Sequence, residues 1–239
     1  MAAEMRAPIA VALDAGSLDM LAAWTRAVAP VVSTLKIGLE VFCRDGGAAV
    51  TTAREAAAQA GVSDPAIFLD LKLHDIPATV SAAALAVAHL APTFLTVHAA
   101  GGAAMIEAAA LALPDTRITA VTILTSLDEE ALAAIGMKGP ALDAAVRLAV
   151  LATAAGARAI VCSPREVAAI RAAVASDITL ITPGVRPAGS AANDQKRTAT
   201  PEEAIAAGAN LLVIGRPITA AADVAAAARE IAVALAERR

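Results

Sequence analysis

The chain has 239 residues, a formal net charge of −4 and 58% hydrophobic residues, which is enough for one large core and carries no basic excess of the kind that holds nucleic acid. With no tyrosine, one tryptophan and three phenylalanines, it also lacks an aromatic platform for stacking bases. Cys43 and Cys162 share no metal-ligand or redox spacing and read as free thiols, and Glu4, Arg6 and Asp14 interrupt any signal-peptide core, so the expected setting is cytoplasmic.

In chain order, short apolar runs alternate with alanine-rich helical patterns. A strand at 9–13 precedes a helix at 18–28, a strand at 31–35 precedes a helix at 48–60, and a strand at 66–69 precedes a helix at 79–90. Strands at 94–97 and 118–124 follow, then a helix at 141–155, a strand at 159–162 and a helix at 166–174. Strands at 178–181 and 211–214 and a closing helix at 220–237 complete the series. Residues 76–106 contain no Asp, Glu, Lys or Arg, but Pro77, His89, Pro92, His98 and Gly101 break the run, which reads as a helix, a turn and a buried strand rather than a membrane span. Eight strands with crossovers long enough for parallel pairing predict an α/β fold, a (β/α)8 TIM barrel forming a single domain over residues 1–239. An open doubly wound sheet is the competing architecture, although VALDAGSLD after the first strand lacks the G-x-G-x-x-G fingerprint.

The segment FLDLKLHDIP, residues 68–77, crowds three charges onto the end of an apolar run. Strand alternation points Asp70 and Lys72 the same way and leaves Asp75 in the following loop. A D-x-K pair by itself is equally an ordinary salt bridge closing a strand. Its setting favours chemistry: Asp14, Lys36, His98, Thr125, Ser163, Thr182 and Arg216 also fall at or just past strand carboxyl ends, where barrel enzymes build their sites. His74 reads as a structural loop residue, whereas His98 fits a supporting or a packing role equally.

Two glycine-containing loops follow the last strands, in the place where barrels commonly hold a phosphate. Gly184 and Gly215 allow close backbone approach to an anion, Arg216 can chelate it, and a helix after Pro217 offers its positive end. The stretch 184–200, which contains Arg186 and Gln195, is longer than a usual connection and fits a lid or a surface excursion.

Taken in order, VALD, LKIGLE, FLDLKLHDIP, VHAAGG, VTILTSLD, IVCSPREV, ITPGVRP, NDQKRTATPEEAI and LLVIGRPI resemble the orotidine 5′-phosphate decarboxylase family over nearly the whole chain. D-x-K-x-x-D alone is shared with magnesium-dependent sugar-phosphate enzymes of a wider superfamily, which place a metal-binding Glu where this chain resembles them with Lys36. The resemblance implies decarboxylation of orotidine 5′-monophosphate (OMP) to UMP without a cofactor or metal, Lys72 protonating carbon 6 beside Asp70, and Asp75 shared across a homodimer. By the same match Asp14 and Lys36 bind ribose hydroxyls, Thr125 and Ser126 meet the pyrimidine, Gln195 bridges base and phosphate, and Arg186, Gly215 and Arg216 hold the phosphate region. Ile76, Thr79 and Pro183 complete the implied binding set, and Ala78 replaces the asparagine found in many members. Two other readings remain open at this point: a magnesium-dependent sugar-phosphate lyase, and a nucleotide-binding barrel without turnover. None of the three needs nucleic acid or a membrane as partner.

Overall fold

A computed structural model of the protein describes residues 6–186 and 199–237. Eight parallel strands close into a barrel in sequence order: β1 Ala7–Ala12, β2 Val32–Gly38, β3 Ala66–Leu73, β4 Phe94–His98, β5 Arg117–Val121, β6 Ala159–Val161, β7 Thr179–Thr182 and β8 Leu211–Ile214. The pairing of β1 with β8, Ala10 opposite Val213, closes the sheet and removes the open doubly wound alternative.

The strands alternate between two cores. Ala10, Phe68, Phe94, Ala159, Ile181 and Leu211 pack inside the barrel, with the Phe68 and Phe94 rings 5.7 Å apart, whereas Ile9, Val11, Leu69, Leu95 and Leu180 face the surrounding helices. Two residues beyond Phe68 and Phe94 on the same inward rows stand Asp70 and Thr96, so the interior turns polar towards the carboxyl ends of the strands.

The helices are α1 Leu18–Val28, α2 Leu39–Asp45, α3 Gly47–Gln59, α4 Pro77–Ala86, α5 Ala103–Ala112, α6 Glu129–Ala134, α7 Ala141–Ala154, α8 Val167–Ala173, α9 Pro201–Ala206, α10 Arg216–Thr219 and α11 Val224–Ala236. All eight expected strands are present, but β5 stops at Val121 rather than running on to residue 124, because the chain bends at Ile123 and turns at 125–126, where the Leu127 N–H donates to the Leu124 carbonyl at 3.0 Å. The helix expected at 79–90 divides into α4, opened by Pro77 at its first turn, and a 3₁₀ turn Ala88–Leu90 that ends in left-handed Ala91. The closing helix expected at 220–237 starts later, as α11 at Val224, capped by Asp223 accepting from the Ala226 N–H at 2.9 Å, and the short α10 precedes it. Among the described residues no helix is long and apolar enough to cross a membrane.

Candidate active site

The centre of the polar end is the Asp70 carboxylate, buried between two ammonium groups. Lys72 Nζ donates to Asp70 Oδ1 at 2.8 Å, and Lys36 Nζ lies 3.2 Å from Asp70 Oδ2 and 3.8 Å from Asp14 Oδ1. Burial pushes the Asp70 carboxyl up, but Lys36 and Lys72 together outweigh it and hold the group below the ordinary carboxylate value. The juxtaposition of Asp70 and Lys72 is as expected, but simple alternation does not produce it. The β3–β4 register shifts between Leu69 and Leu73, and Lys72 adopts a left-handed backbone with φ of 50°. Such a conformation costs a non-glycine residue roughly 1–2 kcal/mol, so the surrounding contacts must hold it. The Lys72 N–H, turned out of the ladder, donates instead to Thr96 Oγ1 at 2.8 Å, and the Thr96 hydroxyl donates to Asp70 Oδ1 at 3.1 Å.

A cavity of about 190 Å³ opens beside this array, with Asp70 and Lys72 on one side and Val121, Ile123, Thr125, Pro183 and Val213 among its other walls. It combines a largely apolar lining with a few convergent charges, the usual make-up of a small-molecule site. A larger groove of about 490 Å³ lies at the amino-terminal end of the barrel, beside Pro8, Pro30 and α11, and no predicted site residue lines it.

The family model for the orotidine 5′-phosphate decarboxylase / HUMPS family matches residues 7–231. The chain belongs to the orotidine 5′-phosphate decarboxylase family. An orotidine 5′-phosphate decarboxylase of Thermobifida fusca (strain YX) is 64% identical over 231 residues, covering 97% of each chain. One from Frankia casuarinae (strain DSM 45818 / CECT 9043 / HFP020203 / CcI3) is 57% identical over 241 residues, covering 96% of this chain and 88% of the relative. Among solved structures, orotidine 5′-phosphate decarboxylase from Lactobacillus acidophilus superposes with a TM-score of 0.79 at 33% identity, covering 96% of this chain and 99% of that one.

For a decarboxylase of this family, the structure brings together Asp14, Lys36, Asp70 and Lys72, and it places Thr125 and Pro183 in the cavity wall. Asp75, Ile76 and Thr79 lie apart and exposed, and Asp75 Oδ1 accepts the N–H of its neighbour Ile76 at 2.6 Å. Ser126 is exposed, and so is Arg216, which opens the four-residue α10 immediately after Gly215. Arg186 is buried, and its N–H donates to the Ala199 carbonyl at 3.0 Å where Val185 and Ala199 form a bridge. The two ends of the long β7–α9 connection therefore meet. Gln195 lies outside the described residues.

His98 ends β4 with its ring centroid 5.4 Å from that of His74, and burial first, then His74 and Lys72, push its imidazole pKa below the ordinary value. Cys162 is buried and its thiol is pushed up by that burial, which removes it as a nucleophile, and Cys43 is an exposed free thiol.

Three residues of the neighbourhood were not singled out from the sequence. Thr96 links the Lys72 backbone to Asp70. Gly38 provides space, since a Cβ there would fall 2.8 Å from Asp14 Oδ1 and 2.9 Å from Lys36 Nζ. Glu166, buried in the loop after the sixth strand, accepts the Ser163 N–H at 3.0 Å. A glycine closing a strand that carries an inward lysine was a usable signal for Gly38. A threonine inside a short, mostly apolar strand such as Phe94–His98 gives no such signal. Among the described residues no group of three His, Cys, Asp or Glu side chains is placed to hold a metal ion, and the space between the Asp14 and Asp70 carboxylates is taken by the Lys36 ammonium.

Proposed function

We propose that the Asp70–Lys72–Lys36 array converts OMP to UMP and CO2 without a cofactor, the last step of de novo UMP synthesis, with Lys72 as the proton donor to carbon 6. The observation that carries this reading is a buried carboxylate held between two ammonium groups at the edge of a small, mostly apolar cavity. When the bond from carbon 6 to the carboxylate breaks, its electron pair stays on carbon 6. A fixed ammonium beside that carbon stabilises the growing charge without having to reorganise, and then gives up a proton to form the new C–H bond, leaving a neutral amine that solvent reprotonates. Asp70 keeps Lys72 charged and aimed before the reaction.

Asp14 and Lys36 are assigned to the ribose hydroxyls, Thr125, Ser126 and Pro183 to the pyrimidine side, and Arg186, Gln195, Gly215 and Arg216 to the phosphate region. Binding energy from the non-reacting phosphate can be used to organise the reacting end, so loss of Arg216 should lower kcat as well as affinity. Asp75 is assigned to the neighbouring site of a homodimer, a reading supported by its exposure on the single protomer, and Ile76 and Thr79 are assigned to substrate binding. The enzyme would work in the cytoplasm with no nucleic-acid or membrane partner.

The test is turnover of OMP by EDTA-treated protein, followed by loss of substrate absorbance, beside Lys72→Ala. Conversion to UMP by the wild type, with kcat reduced by at least about 10³-fold in the variant, is expected. UMP binding without turnover, or activity that returns only with added magnesium, would refute the proposal.

A further inference from the structure

The contacts of Thr96 form a closed circuit. The Lys72 N–H donates to Thr96 Oγ1, the Thr96 hydroxyl donates to Asp70 Oδ1, and the Lys72 ammonium donates back to the same Asp70 oxygen. The direction around the circuit is fixed by chemistry. A backbone N–H is only a donor and an ionised carboxylate only an acceptor, so the single hydroxyl proton of Thr96 must point at Asp70. Thr96 is fully buried, and β4 holds its backbone through the partner register Thr96–Thr119. Its β-branch limits χ1, which keeps the hydroxyl from swinging away.

We infer that Thr96 is a positioning residue of the decarboxylase site, holding Asp70 Oδ1 still and Lys72 in its left-handed backbone conformation while the Lys72 ammonium moves between Asp70 and carbon 6. The inference rests on the reading of Lys72 as proton donor. To reach carbon 6 the ammonium must loosen its 2.8 Å contact with Asp70. A carboxylate anchored only by that ammonium would rotate after it and oppose the transfer. Thr96 on one oxygen and Lys36 on the other hold the carboxylate in place, so Lys72 moves alone. The charged groups facing Asp70 are thus Lys36 and Lys72, with Asp14 behind Lys36 and His98 two residues along β4 from Thr96.

The experiment compares Thr96→Val, which keeps the shape and removes both hydrogen bonds, with Thr96→Ser, which keeps the hydroxyl. Steady-state kinetics on OMP are measured beside UMP inhibition constants and thermal unfolding. UMP lacks the carboxylate and makes no use of the proton transfer, so its affinity reports an intact pocket. Thr96→Val should lose about 10- to 100-fold in kcat, the effect of removing a hydrogen bond to a charged group, with the UMP inhibition constant within about threefold of wild type. Thr96→Ser should retain kcat to within about threefold, its looser χ1 accounting for the difference. If Thr96→Val does not fold, Thr96→Ala takes its place in the same comparison. Wild-type kcat in the valine variant, a serine variant as impaired as the valine one, or parallel losses in kcat and UMP affinity would each overturn the inference. A wild-type protein that does not turn over OMP would overturn the functional reading as well, whereas normal wild-type turnover with an indifferent Thr96→Val overturns this inference alone.

Discussion

Asp70 is the residue on which opposing physical effects meet. Burial disfavours its charge, the two lysines favour it, and the lysines win, so its folded pKa is lower than its unfolded one. A depressed carboxyl pKa contributes stability at pH values above the unfolded pKa, and this is lost as the pH falls through the folded value. Replacing Lys36 by methionine keeps the buried stem but removes one of the two cations. Lys36→Met should therefore be less stable than wild type by about 2 kcal/mol at pH 7, and the difference should shrink in acid, as the pH falls through the depressed folded pKa and Asp70 takes up its proton. Guanidinium unfolding at neutral and acid pH reads this directly. A deficit that does not change with pH would mean that Lys36 contributes by packing and not by charge.

Among the elements, the strands were legible because parallel barrel strands are buried on both faces and read as plain apolar runs between turn residues. The helices were less so. The helices α2, α5, α6 and α9 are short or alanine-rich, with little contrast between faces, and α2 follows β2 without a break at Gly38. At the site, the charged residues announced themselves by type, whereas Thr96 acts only because of a register shift in β3 that no spacing rule reveals. A second left-handed residue, Ala91 with φ of 41°, closes the 3₁₀ turn before β4, on the surface and away from the cavity. Glycine there removes roughly 1–2 kcal/mol of backbone strain. It also frees the unfolded chain, at a cost of up to about 1 kcal/mol. The net expectation for Ala91→Gly is about 0.5 kcal/mol of added stability, a rise in Tm of about 1–2 °C, with kcat unchanged. A fall in Tm would show that the turn is held in this shape by contacts strong enough to make the strain irrelevant.

For the whole molecule, the closed barrel gathers Asp14, Lys36, Asp70 and Lys72 at one end but leaves Asp75, five residues past Asp70, on the open surface. Among the described residues its hydrogen-bond partner is the backbone N–H of Ile76 in its own loop. In the proposed homodimer a second copy would cover this exposed carboxylate and the exposed Ile76 beside it, and Asp75 would act in the neighbour's site. That arrangement makes a prediction no single-chain site can satisfy. Lys72→Ala and Asp75→Ala homodimers should each be nearly inactive. In a mixed dimer, the site on the Asp75→Ala subunit keeps its own Lys72 and receives Asp75 from the Lys72→Ala subunit, while the other site lacks both. Random reassortment leaves about half the dimers mixed and one site in each of these intact, so the mixture should recover about a quarter of wild-type activity. Differently tagged subunits, separated after mixing, allow the heterodimers to be assayed alone, where activity should approach about half of wild type. Confirmed heterodimers that remain as inactive as the parents would place Asp75 in the service of its own subunit and remove the shared site.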